Sequence, residues 1–237
     1  MRAGAGGPPV NPGTPGGESG GTRERIVASA MALFTENGYD RTTMRAIAAD
    51  AGLSVGNAYY YFASKEHLIQ GFYDEVNTEH RARSLEALRG TSGFGERLQA
   101  VLEAWIDVAA PHHAFAAQFF RHAADPRSPM SPFSPESAAV RESAVQTMAD
   151  VVAGSDLKAD ADVLARLPSL LWLYQMGIVL FWVYDSSEGA ERTRLLVRRS
   201  VPLVERLLRL SRHRIMQPLT RQVMELLDAL GWRNLQR

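Results

Sequence analysis

Apolar residues recur every three or four positions along most of the chain, and no segment shows the alternation of apolar and polar residues typical of a β-strand. The first helical run carries four apolar residues on one face: Ile26, Ala30, Leu33 and Phe34. Thr22 can cap the start of this helix, and the pair Asn37 and Gly38 can end it. The pattern therefore predicts an all-α protein.

Two short helices are predicted next, joined by a turn at a glycine. The first has apolar residues at positions i, i+3, i+4 and i+7: Met44, Ile47, Ala48 and Ala51. Thr42 or Thr43 can cap it, and Gly52 ends it. Ser54 can then cap a third helix, which covers about residues 55–62.

The rest of the chain is predicted to form further helices with polar connections. Their predicted bounds are about 64–88, 94–110, 112–124, 136–153, 160–184, 190–210 and 219–230. Four prolines and three serines within residues 125–135 predict a loop. Pro168 and Pro202 lie inside predicted helices, where each removes a backbone donor and is expected to introduce a kink.

Residues 1–21 are rich in glycine and proline, a composition that predicts a disordered tail. They lack the charged and apolar regions of a secretory signal, so we expect a cytoplasmic protein. The absence of cysteine excludes disulfides, thiolate zinc sites and cysteine nucleophiles. Lys+Arg and Asp+Glu number 26 each, so net charge does not indicate a polyanionic partner, and evidence for nucleic-acid binding must be local.

Residues 167–184 carry no formal charge, and the length of this run is close to the minimum for a membrane-spanning helix. Arg166 and Asp185 bound it, however, and Pro168 and Gln175 interrupt its apolar character. A helix buried in a bundle or a dimer gives the same pattern. We therefore expect no membrane association.

The turn at Gly52 joins the two short helices in the arrangement of a helix-turn-helix, whose second helix can enter a major groove of DNA. Because that helix is so short, its cap and four of its residues cannot all be buried, and we expect them to be available to DNA: Ser54, Val55, Gly56, Asn57 and Tyr60. Gly56 costs a helix about 1 kcal/mol relative to alanine, which indicates a role other than helix stability. Asn57 can pair with adenine.

Contacts with phosphates are expected on and around the same helix. Tyr59 and Tyr60 offer hydroxyl groups, although packing on the fourth helix is an alternative for Tyr59 and is favoured for Tyr61. Thr43 offers a hydroxyl at a helix start, and Lys65 an ammonium group. Arg45 is a weaker candidate.

Residues 23–68 resemble the N-terminal domain of the TetR family of bacterial repressors. The matching segments are Ala32-Leu33-Phe34, Gly38-Tyr39, Thr43, Ile47-Ala48, Ala51-Gly52, Ser54-Val55-Gly56, Tyr59, Tyr61-Phe62 and Ser64-Lys65-Glu66. Asn57 and Ala58 depart from the usual pattern, which leaves the base preference open. The resemblance implies a DNA-binding domain at 22–68 and a helical regulatory and dimerisation domain at 69–237.

The resemblance further implies a homodimeric repressor that binds a palindromic operator in double-stranded DNA and releases it when a small-molecule effector binds. One short recognition helix makes too few contacts for tight binding, which independently favours two-fold pairing. Apolar residues of the eighth and ninth predicted helices exceed what one monomer needs and are expected to form the dimer interface: Leu170, Leu171, Leu173, Ile178, Val179, Phe181, Trp182, Leu195, Leu196, Val201, Leu203, Val204, Leu207 and Leu208.

Aromatic and polarisable side chains of the middle helices are candidates for an effector site: Trp105, Phe119, Phe120, Trp172, Gln175 and Met176. Such a set also suits an ordinary core, and the family resemblance is what favours a binding site. Polar anchors could come from four neighbours: His112, His113, Arg121 and His122. The adjacent pair His112 and His113 points in different directions on a helix, which argues against a metal site.

Two other functions compete with the regulator. The predicted helical region, residues 22–230, lacks a nucleophile elbow, a phosphate-binding glycine loop, an HExxH motif and a dinucleotide fingerprint, so neither an enzyme nor a bound cofactor is expected. An all-helical dimeric adaptor or small-molecule-binding protein without DNA binding is the alternative.

Overall fold

The computed structural model describes residues 16–125, 127–211, 213 and 217–229, and it is all-α over these ranges. The α-helices are α1 (Gly16–Asn37), α2 (Met44–Asp50), α3 (Val55–Tyr61), α4 (Lys65–Ala87), α5 (Phe94–Ala109), α6 (His113–Ala123), α7 (Ala138–Ala153), α8 (Ala161–Val183), α9 (Glu191–Ser211) and α10 (Gln217–Ala229). The predicted all-α class is confirmed, and the predicted helices all occur within a few residues of their expected bounds.

The first three helices and the start of α4 enclose one apolar core. Its fully buried members include Ile26, Phe34, Ile47, Ala58 and Leu68. Burying an Ile, Leu or Phe side chain contributes about 1.5–3 kcal/mol to stability. Helix α3, which has only seven residues, is held to this core through its packing on α2. Phe115 and Phe119 of α6 belong to the same core, so the N-terminal helices also rest on a later part of the chain.

Two glycines allow the chain to reverse between these short helices. Gly38, after α1, has a φ of 83°, and Gly52, between α2 and α3, has a φ of 70°. A side chain is strained in this left-handed region, whereas glycine is not. The predicted turns at both glycines are confirmed.

The second core lies among α5, α7, α8 and α9. Its buried members include Leu98, Ile106, Met148, Leu171 and Val197. The buried guanidinium of Arg97 ties this core to the preceding connections, because it donates to the carbonyls of Leu88, Thr91, Asp150 and Val151. Placing all these donors on carbonyls satisfies a cation that would otherwise be costly to bury.

The first helix begins at Gly16, six residues before the predicted start at Thr22. Glycine lowers helix stability without preventing a helix, and a helix already nucleated downstream extends at low cost. The predicted disorder of residues 1–21 is therefore wrong for 16–21, whereas residues 1–15 lie outside the described residues. Both α8 and α9 continue through Pro168 and Pro202.

Among the described residues, α8 is long and apolar enough, by composition, to span a membrane. Its packing is that of a core helix on one side, because Leu171, Gln175, Ile178 and Trp182 are buried. The opposite side of α8 is exposed, with Leu180 and Phe181 at the surface. Length and composition alone are weak evidence for a membrane span.

Candidate nucleic-acid interface and internal cavity

Helix α3 presents nearly all of its side chains to solvent. Tyr60 is 83% exposed and Tyr59 is 50% exposed, whereas Ala58 is completely buried against the N-terminal core. Val55, Gly56 and Asn57 are also exposed. The predicted solvent-facing segment is therefore present, and its inner face holds the helix in place.

Serine and threonine hydroxyls cap the helices of this motif. The Ser54 Oγ accepts from the Asn57 amide at 3.1 Å, and the Thr43 Oγ1 accepts from the Ala46 amide at 3.2 Å. Each hydroxyl keeps its own hydrogen to donate, for example to a phosphate oxygen. Thr42 is buried and donates to the carbonyls of Leu33 and Gly38, which identifies Thr43 as the cap.

The basic side chains near the helix-turn-helix differ in the hydrogen bonds and ion pairs that they already make. The Lys65 ammonium donates to the Tyr39 carbonyl at 2.7 Å and lies 4.2 Å from the centre of the Tyr39 ring. An ammonium has three donors, so two remain for another acceptor. Arg45 is exposed and has no ion pair with a described residue. The sequence analysis missed Arg41, an exposed cation whose Nε donates to the Asn37 carbonyl.

Tyr39 joins the end of α1 to the start of α4. Its hydroxyl donates to the Glu66 Oε1 at 3.0 Å. Burial and the Glu66 carboxylate raise the pKa of Tyr39, so the phenol stays protonated and remains a donor. The Ser64 hydroxyl is the main cause of the lowered pKa of Glu66, which keeps the acceptor ionised.

A cavity of about 720 Å³ lies between the two cores, enclosed by α4 to α8 and the loop before α7. Its wall includes all six predicted ligand-binding residues: Trp105, Phe119, Phe120, Trp172, Gln175 and Met176. Pockets for drug-sized molecules have volumes of about 300–1,000 Å³. The sequence therefore identified residues that share one cavity, while their role in binding stays a prediction.

Few polar groups face this cavity. Besides the tryptophans, the described polar side chains on its wall are Tyr73, Asn77, His80, His112, Ser131, Ser137, Arg141 and Gln175. Burial lowers the pKa of both histidines, which favours their neutral forms. None of the described lining residues is acidic.

The other predicted polar anchors lie elsewhere. A ring nitrogen of His113 is 2.8 Å from the Trp182 carbonyl, to which it can only donate. His122 packs against Tyr39 and lies off the wall of this cavity. Nothing in the sequence distinguishes these rings from His112, because their orientation depends on how α6 is rotated. The side chain of Arg121 is outside the described part of the chain.

An apolar surface, here called the α8–α9 face, is exposed on one side of the molecule. It consists of Leu180, Phe181, Tyr184, Leu195, Leu203 and Leu207. Four residues predicted for the interface lie instead in the core of the monomer: Leu171, Ile178, Trp182 and Val201. The interface prediction is wrong for these four, because α8 and α9 use one side to pack on α5 and α7.

Among the described residues, no three His, Asp or Glu side chains are grouped so as to hold a metal ion.

Two family models match most of the chain. The model for bacterial regulatory proteins of the tetR family matches residues 26–71, which include α2 and α3. The model for the tetracyclin repressor-like C-terminal domain matches residues 97–226. The matched segments therefore cover the candidate interface and the part of the cavity wall that α5 to α8 supply, whereas the wall residues of α4 lie between the two matches.

Known regulators are similar over part of the chain. The transcriptional repressor KstR2 of Mycobacterium tuberculosis is 34% identical over 102 residues, which are 41% of this chain and 49% of that protein. The transcriptional regulator UidR of Escherichia coli is 32% identical over 94 residues, covering 40% and 45%. The chain thus matches about half the length of these curated relatives.

Solved structures share the fold over about three quarters of this chain, at low identity. A TetR regulator from Nitrosomonas europaea has a TM-score of 0.59 at 20% identity, covering 77% of this chain and 97% of that chain. FadR from Bacillus subtilis, in complex with stearoyl-CoA, has a TM-score of 0.59 at 16% identity, covering 75% and 97%. FadR from Thermus thermophilus, in complex with lauroyl-CoA, has a TM-score of 0.54 at 21% identity, covering 76% and 93%.

Proposed function

The chain belongs to the TetR family of bacterial regulatory proteins, and from this premise we propose that it is a cytoplasmic transcriptional regulator that binds an operator in double-stranded DNA. The observation that carries the proposal is the exposure of α3, where Asn57 and Tyr60 face solvent beside the capped start of α2. Base contacts then fall to Asn57 and phosphate contacts to Tyr59, Tyr60 and Lys65. Residues 22–68 form the DNA-binding domain, and the protein acts without catalysing a reaction.

The regulator binds DNA as a homodimer in this proposal. The α8–α9 face offers exposed apolar side chains on two helices, and two copies of it would form a four-helix interface. A two-fold dimer carries two copies of α3, one for each half of a palindromic operator.

The regulator is further proposed to be a repressor whose operator affinity falls when a small molecule occupies the 720 Å³ cavity. The support is the composition of the wall, which is almost entirely apolar. Similar folds are solved with stearoyl-CoA and lauroyl-CoA bound, so a molecule with a long hydrocarbon part is a reasonable class of effector.

The test is a gel shift of the purified protein with DNA that flanks its own gene. Wild-type protein should retard this DNA, and Asn57→Ala, Tyr60→Ala and Lys65→Ala should each weaken binding about fivefold or more. Removal of the Lys65 charge should also reduce the salt dependence of binding by about one phosphate contact.

Arg89→Ala serves as the control, because Arg89 is an exposed cation beyond the far end of α4. It should bind like the wild type. Equal binding by all four variants, or no retardation by the wild type, would favour the adaptor without DNA binding instead.

A further inference from the structure

The amide of Gln175 is a buried polar group on the wall of the cavity. The residue is 2% exposed, and its Oε1 has no hydrogen-bond partner among the described residues. A buried polar atom of this kind is costly and is uncommon in folded proteins. A primary amide offers both an acceptor and donors, so the group that matches it best is one that can donate and accept, such as a hydroxyl.

Arg141 is the permanent charge on the same wall. Its Nη1 donates to the carbonyls of Pro132 and Ser134, which hold the guanidinium against the loop before α7. No described residue accepts from its other N–H groups or forms an ion pair with it. A guanidinium without a carboxylate partner suits a ligand that brings a carboxylate.

The other residues that line the cavity also favour a ligand with a negative charge. No described lining residue is acidic, and burial holds His80 and His112 in their neutral forms at neutral pH. Arg141 therefore gives the cavity a positive charge that no described residue of the lining balances. The aromatic and aliphatic side chains around it suit a hydrocarbon body.

We propose that this cavity binds an apolar carboxylic acid that carries a hydroxyl group on its hydrocarbon body, with the carboxylate on Arg141 and the hydroxyl on Gln175. The proposal rests on the proposed function in one respect only, namely that this molecule acts as the effector of the regulator. Binding itself can be measured without DNA, so the two can fail separately.

Tryptophan fluorescence reports binding directly, because Trp105, Trp172 and Trp182 all line the cavity. The probes are 12-hydroxystearate, stearate, methyl 12-hydroxystearate and stearoyl-CoA. The hydroxy acid should bind about fivefold more tightly than stearate. It should bind at least about tenfold more tightly than its own methyl ester. Tighter binding of the methyl ester or of stearoyl-CoA, or no response to any probe, would overturn the proposal.

Variants of Gln175 and Arg141 test the two proposed contacts separately. Gln175→Leu should remove the preference for 12-hydroxystearate over stearate and should raise the melting temperature of the unliganded protein. Arg141→Lys should keep part of the preference for the acid over the ester, whereas Arg141→Met should abolish it. Gln146→Leu is the control on α7, since the Gln146 amide binds the exposed side of Asp150 and lies off the wall.

Both measurements are made on the same full-length protein. Unchanged probe preferences in Gln175→Leu and Arg141→Met would overturn the proposal even if the wild type binds operator DNA. Conversely, a wild type that shows the expected preferences but fails to retard DNA would support the ligand assignment and count against the regulator.

Discussion

The ring of Tyr39 lies edge-on against the ring of Phe119, with 5.6 Å between their centres. Phe119 lines the cavity, and Tyr39 holds Glu66 and Lys65 at the start of α4, directly after the exposed helix α3. A displacement of Phe119 by a molecule in the cavity would therefore act on the groups that fix α4 relative to α1. This contact is a short physical connection between the cavity and the candidate nucleic-acid interface.

The Tyr39 hydroxyl should strengthen this connection. Tyr39→Phe keeps the ring contacts but removes the hydrogen bond to the Glu66 carboxylate, so we expect the free energy of unfolding to fall by about 1 kcal/mol. Operator affinity should fall as well, because the first turn of α4 is less firmly held. Denaturant unfolding and gel shifts measure the two effects.

The control for the stability effect of Tyr39→Phe is Tyr184→Phe, since Tyr184 is 71% exposed and its hydroxyl has no hydrogen-bond partner among the described residues. It should leave the free energy of unfolding unchanged. A Tyr39→Phe protein as stable as the wild type would contradict the proposed role of the hydroxyl.

Gly56 offers a test in which stability and DNA binding move in opposite directions. A Cβ added to Gly56 meets no atom within 4 Å, and the residue lies inside α3. Gly56→Ala should therefore stabilise the free protein by up to about 1 kcal/mol. It should weaken operator binding, because a methyl group would stand between the helix backbone and the DNA.

Ala82→Gly is the opposite change at an exposed position of α4, and it controls for helix stability alone. It should destabilise the protein by up to about 1 kcal/mol while operator affinity stays the same. If Gly56→Ala binds the operator as tightly as the wild type, the backbone of α3 does not approach DNA at this residue.

The local features of the fold were predictable from the sequence, because they depend on residues close together in the chain. Most of the helix bounds, the capping role of Ser54, and the turns at Gly38 and Gly52 follow from local patterns. The packing of Phe115 and Phe119 into the N-terminal core was not predictable, because it depends on how α6 is placed relative to α1.

The candidate sites show the same limit. Aromatic residues of the cavity could be recognised by type, but Arg141 could not, because its place on the wall depends on how the loop before α7 is folded. The interface prediction failed for Leu171 and Trp182 for a related reason. Apolar content shows that a helix is buried on several sides without showing which side packs within the monomer.

The α8–α9 face should hold the proposed dimer together. Phe181 is 42% exposed on this face, and Phe181→Asp would bury a carboxylate in an apolar interface, so we expect monomers. Operator affinity should fall at least about tenfold, because a monomer contacts only half of a palindrome. Light scattering of the protein as it elutes from a sizing column measures its molar mass.

Leu85→Asp is the control, at a similarly exposed residue of α4, and it should stay dimeric. A dimeric Phe181→Asp protein would count against this face.

Gly154 should tolerate no side chain. A Cβ at this residue would overlap the guanidinium of Arg97, which is fixed by hydrogen bonds to the carbonyls of Asp150 and Val151 in α7. We expect Gly154→Ala to lower the free energy of unfolding by about 2–3 kcal/mol. Arg97→Leu removes the group that is overlapped, so the double variant should cost less than the sum of the two single ones in denaturant unfolding. Strict additivity would show that the two residues do not interact.

His80 should make stability fall in mild acid. The ring is 2% exposed and its Nε2 lies 3.0 Å from the Val101 carbonyl, and burial lowers its pKa in the folded protein although this hydrogen bond opposes the shift. The unfolded chain, with a histidine pKa of about 6.5, therefore binds more protons than the folded protein in this range. Stability is then greatest above the unfolded pKa and is lost as the pH falls towards the folded one.

His80→Gln removes the titrating group while it keeps a side-chain donor for Val101. Denaturant unfolding at pH 7.5 and at pH 5.5 should show a smaller loss of stability in His80→Gln than in the wild type. His67→Gln is the matched control, because His67 is exposed on the same helix, and its loss should equal that of the wild type. An equal loss in His80→Gln and the wild type would show that the buried ring of His80 does not resist protonation.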